Sequence, residues 1–66
     1  MDKETLLTIY KAITKRKDEF IENLNDIIND TMLDEEIKNE LSLETWWVIK
    51  GLNEALKVVK EFDKAN

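Results

Sequence analysis

No proline interrupts this chain, and it has a single glycine, Gly51. Proline and glycine are the strongest local breakers, so a sequence almost without them has few tight turns and folds into helices. From Leu6 through Ile9/Tyr10, Ile13, Lys17, Phe20 and Leu24 to Ile27/Ile28, key positions recur every three or four residues. That is the period of one helical face. Asp2 suits the N-cap of this first helix, expected over 3–30 and about 43 Å long at about 1.5 Å per residue. Asn23, Asn25 and Asn29 weaken its far end.

The pattern breaks around Thr31–Leu33. Thr31 or Asp34 can start the next helix, with Glu35 and Glu36 at its positive end. A short helix is expected over about 34–41, with Ile37 and Leu41 facing inward. Ser42 then caps a third helix over 43–63, whose Val48, Ile49, Leu52, Ala55, Leu56, Val59 and Phe62 share a face. One bent helix over 34–63 is the alternative. The expected fold is all-α: an antiparallel helical hairpin with a short connecting helix, three helices in one small domain over 1–66, dimerising into a helix bundle.

Size is the reason to expect association. A chain of 66 residues buries only about 60% of its unfolded surface, and one such core seldom yields more than about 3–5 kcal/mol. Cysteine and histidine are both absent. That removes disulfides, thiolate chemistry, the commonest metal ligand and the commonest general base. Self-association or a bound partner is the support that remains. Hydrophobic content of 42% argues against a wholly disordered acidic tail. Met1-Asp2-Lys3-Glu4 is not a basic leader, and uncharged runs such as Thr45–Ile49 fall far short of the roughly 20 residues that cross a bilayer. A cytoplasmic protein with no membrane role is expected.

Charge is segregated along the chain. Between Asp18 and Glu44 ten acids face one base, Lys38, for a net charge of −9. The flanks carry +3 over residues 1–17 and +1 over 45–66. Concentrated like charge works against compactness and calls for a reason. Antiparallel return places this acidic segment at the bend and the lysines at the open end. Glu19, Glu22, Asp26 and Asp30 recur every three or four residues, and Asp34, Glu35, Glu36 and Glu40 follow. These eight are the candidate partner-binding face.

Carboxylates so spaced bind divalent ions weakly, and paired ones can act as acid and base. The chain lacks the Glu-x-x-His pattern of carboxylate-bridged bundles and the glycine-centred calcium loop. No catalytic residue, cofactor or metal site is assigned, and no enzyme is expected. Lys15-Arg16-Lys17 points three ways around a helix, and Asp18 and Glu19 follow at once. With a net charge of −5 the chain lacks the basic stripe of a nucleic-acid binder, and no direct nucleic-acid binding is expected.

The last helix is apolar over more than one face. On a wheel of about 100° per residue, Trp47, Gly51 and Val58 widen its stripe on one side, and Trp46 lies off the other. Either the short middle helix covers this extra width, or it is a dimer seam or partner surface. Lys17, in an apolar register, either snorkels to water or pairs with an acid across a seam.

The expected function is a small acidic protein–protein interaction module. It docks on a basic, nucleic-acid-handling protein, its carboxylates imitating backbone phosphates to block a groove. In size and charge the chain is similar to small phage and mobile-element inhibitors and to some antitoxins, though no motif carries a family assignment. The alternative is a homodimeric helical scaffold with no inhibitory role.

Overall fold

The structure is a computed structural model and describes residues 2–65. Two α-helices, α1 (Lys3–Asn29) and α2 (Glu35–Ala65), pack against each other as a hairpin, with no strand among the described residues. The result is a rod of 48 × 14 × 10 Å.

Aspartates punctuate it in place of glycine or proline. Asp2 Oδ1 accepts the Thr5 N–H at 2.7 Å and starts α1, with Glu4 beside the positive end of the helix dipole. At the other end Asp30 adopts extended backbone and donates its N–H to the Ile27 carbonyl at 3.2 Å. Its Oδ1 accepts the N–H groups of Met32 at 2.7 Å and Leu33 at 3.3 Å, which reverses the chain without a left-handed residue. Asp34 then takes the Glu36 N–H on its carboxylate at 3.3 Å and the Lys38 N–H on its carbonyl at 2.8 Å. With Glu35 and Glu36 in the first turn, α2 begins there.

The expected short helix over 34–41 and the break at Ser42 do not occur. A serine cap needs its backbone to leave the helical region, and no proline or glycine lies between Asp30 and Lys50 to impose that. The nearby Thr45 hydroxyl donates to the Leu41 carbonyl at 2.8 Å, a bond made inside a running helix. Because α2 runs on without a break, Ile37 and Leu41 stay on its flank and are exposed rather than inward.

Only Leu6 (4% exposed) and Leu56 (7%) are buried among the described residues. Around them lie half-buried Ile9, Tyr10, Ile13, Phe20, Leu24 and Ile27 of α1 and Ile49, Leu52, Ala55 and Val59 of α2. Two helices share one seam, so each side chain has neighbours on one side and water on the other. Lys17 is half-buried and lines a groove with Lys50 and Lys57. Every side-chain hydrogen bond and ion pair among the described residues joins positions at most four apart. Hydrogen bonds and ion pairs therefore shape each helix and the turn, while apolar packing and a cation–π contact between Lys60 and Tyr10 join the helices. No helix among the described residues is long and apolar enough to cross a membrane.

Candidate functional site

The ten acids of residues 18–44 occupy the last part of α1, the connection and the first part of α2. Glu19 and Asp30 are half-buried and the other eight are exposed. Their roles divide. Asp30 and Asp34 spend a carboxylate oxygen on turn and cap N–H groups, so both build the bend. Glu19 pairs with Arg16 at 2.9 Å on the same helix. The carboxylates of Glu22, Asp26, Glu36 and Glu40 enter no hydrogen bond or ion pair among the described residues, and all four residues are exposed. Glu22 and Asp26 stand one turn apart, about 6 Å along the axis. By helical phase they lie on the side of α1 away from Leu6, Ile13 and Leu24, hence away from α2.

Trp46 and Trp47 form a second cluster, on the outside of α2. They are 47% and 56% exposed, and their rings meet edge to face, with centroids 5.1 Å apart and planes at 73°. Lys50, three and four residues on, sets its Nζ 5.3 Å from the Trp46 centroid and 5.0 Å from that of Trp47. A cation near both rings favours this arrangement of the indoles by about 0.5–1 kcal/mol per exposed contact. Lys50 was not among the residues singled out from the sequence. Its signal is the i+3/i+4 spacing from two adjacent tryptophans.

No middle helix covers the second apolar stripe of α2. Gly51 and Val58, with Val48 and Phe62, are all exposed. Leu43 and, on α1, Leu7, Ile21 and Ile28 are exposed as well. Among the described residues the hairpin buries two side chains and leaves twelve large hydrophobic ones exposed. Among the described residues no group of three or more carboxylates converges as a metal site.

The class that fold and surface define is a bare antiparallel helical hairpin with an acidic bend and an apolar flank. Comparison with protein-family models, curated proteins and solved structures finds no match to this chain.

Proposed function

We propose that this chain is a cytoplasmic, acidic protein–protein interaction module. It docks the outer carboxylates of its bend half on a basic surface of a nucleic-acid-handling protein and occupies the groove that the nucleic acid would enter. The observation that carries this reading is the set Glu22, Asp26, Glu36 and Glu40, exposed and unpaired on the helices beside the bend. The helices fix the backbone spacing of these carboxylates without a partner, so the ordering cost of binding falls on their side chains and not on the backbone. Their summed field steers a basic partner toward the bend and speeds the encounter 10- to 1000-fold at low salt, by an order-of-magnitude estimate. Trp46 and Trp47, in cation–π contact with Lys50, supply an aromatic anchor of the kind that carries binding energy once desolvated.

The test is affinity for a basic partner, measured at two salt concentrations with the native chain and a Glu22→Gln/Asp26→Asn/Glu36→Gln/Glu40→Gln variant. Asp30 and Asp34 are left intact because they build the turn. Docking predicts affinity that falls steeply with salt and is largely lost in the variant. Equal affinity of the two proteins removes the reading.

A homodimeric scaffold is the second reading, and the exposed apolar flank of α2 favours it. Under that reading the four neutralising substitutions leave function intact and raise stability by relieving repulsion.

A further inference from the structure

One flank of α2 repeats with unusual regularity. Ile37, Leu41, Glu44, Val48, Gly51, Ala55, Val58 and Phe62 are separated alternately by four and three residues. All but Ala55 are exposed. The parallel row one position later, which includes Ile49, Leu52, Leu56 and Val59, is the half-buried or buried row that faces α1. A period of 3.5 keeps a seam against a neighbouring helix over many turns. The hairpin supplies a partner for one seam and none for the other. The accessible area points the same way. It is 5299 Å², against about 4400 Å² for a compact chain of this mass, an excess of roughly 900 Å². One partner in a standard interface contributes about 800 Å².

We propose that a second copy of this chain covers the outer seam. The two α2 helices run antiparallel, and the bend of each hairpin lies beside the open end of the other. This inference rests on the self-associating reading above and adds the face, the direction and the register.

Charge selects the direction. Antiparallel packing sets the −9 of residues 18–44 beside the +3 and +1 of the two flanks, whereas parallel packing sets −9 beside −9.

Side-chain size selects the register. About a two-fold axis next to Gly51, Leu41 meets Phe62, Val48 meets Ala55, and Glu44 meets Val58. Gly51 lies near the middle of α2 (Glu35–Ala65), so this register overlaps the two helices along nearly their whole length. Nothing within the hairpin requires a glycine there. Its φ is not positive, and an added Cβ would meet nothing within 4 Å. Two helices crossing closely at that point account for its lack of a side chain.

Sedimentation equilibrium of the full chain at micromolar concentrations is expected to show twice the monomer mass of 7.8 kDa. A 7.8 kDa species alone overturns both the seam and the self-associating reading. Direction is tested separately, in a chain that has no cysteine of its own. Under oxidation, Leu41→Cys mixed with Phe62→Cys is expected to give the mixed disulfide, with each variant alone staying mostly unlinked. Faster linking of either variant alone, or a dimer in which no combination links, overturns the antiparallel seam and leaves dimerisation standing. Gly51→Leu keeps the hairpin fold, since its side chain enters open space. It is expected to keep its helical circular dichroism and weaken the dimer at least tenfold, and an unchanged dissociation constant overturns the seam.

Discussion

The Lys60 ammonium lies 5.8 Å from the centroid of the Tyr10 ring, a polar contact that spans the two helices of this hairpin. Fifty positions separate the two residues, so the pair reports the register of the open end. An exposed cation–π contact contributes about 0.5–1 kcal/mol. Lys60→Met keeps most of the aliphatic stem and is expected to cost about 0.5 kcal/mol in urea denaturation. Tyr10→Phe keeps the ring face and should leave stability nearly unchanged, and a large loss there would assign Tyr10 a different role.

Leu56 is one of two buried side chains among the described residues, so its truncation tests how much depends on one seam. Leu56→Ala is expected to cost about 2–5 kcal/mol, most of what so small a core supplies. Because alanine is the better helix former, local propensity cannot be the cause of that loss. Far-UV circular dichroism of dilute protein should show a largely unfolded chain. Leu43→Ala, at an exposed position off both seams of α2, should stay within about 0.5 kcal/mol of the native protein.

Thr14 carries a buried hydroxyl oxygen with no hydrogen-bond partner. Replacing a buried, unpaired polar atom by a methyl group removes a desolvation penalty of about 1–3 kcal/mol. Thr14→Val, of equal shape and similar helix propensity, is expected to stabilise by about 1 kcal/mol and raise the thermal midpoint by about 4–8 °C. A lower midpoint would mean that the hydroxyl is hydrogen-bonded in solution.

Asp2 is held below the ordinary aspartate range, chiefly because its carboxylate accepts the Thr5 backbone N–H. A depressed folded-state value favours folding above the unfolded value of about 3.9, and the gain fades as pH falls through the folded value. The native chain should therefore exceed Asp2→Ala in stability at pH 6, and the gap should narrow below about pH 4. Paired thermal melts at pH 6 and pH 3 check this, and a gap of constant size would remove the cap from the account.

Local chemistry made much of the fold legible in advance. An all-α hairpin follows from two 3.6-residue patterns and a near absence of breakers. The cap at Asp2 and the start at Asp34 follow from side chains that reach N–H groups two or three residues on. The same short-range logic misled at Ser42, since a cap residue in mid-sequence stops a helix only where the chain also turns away.

Sequence alone determined that charge runs acidic at the middle and basic toward both ends, because order along a folded-back rod maps directly onto position along it. Only the tertiary structure decided which apolar stripe found a partner. α1 reaches the row that includes Ile49, Leu52, Leu56 and Val59 and leaves Val48, Val58 and Phe62 in water. Helix periodicity specifies that a side chain lies on a given face, and it is silent on what stands opposite. That depends on residues dozens of positions away, and here a single facing helix is narrower than the apolar surface of α2.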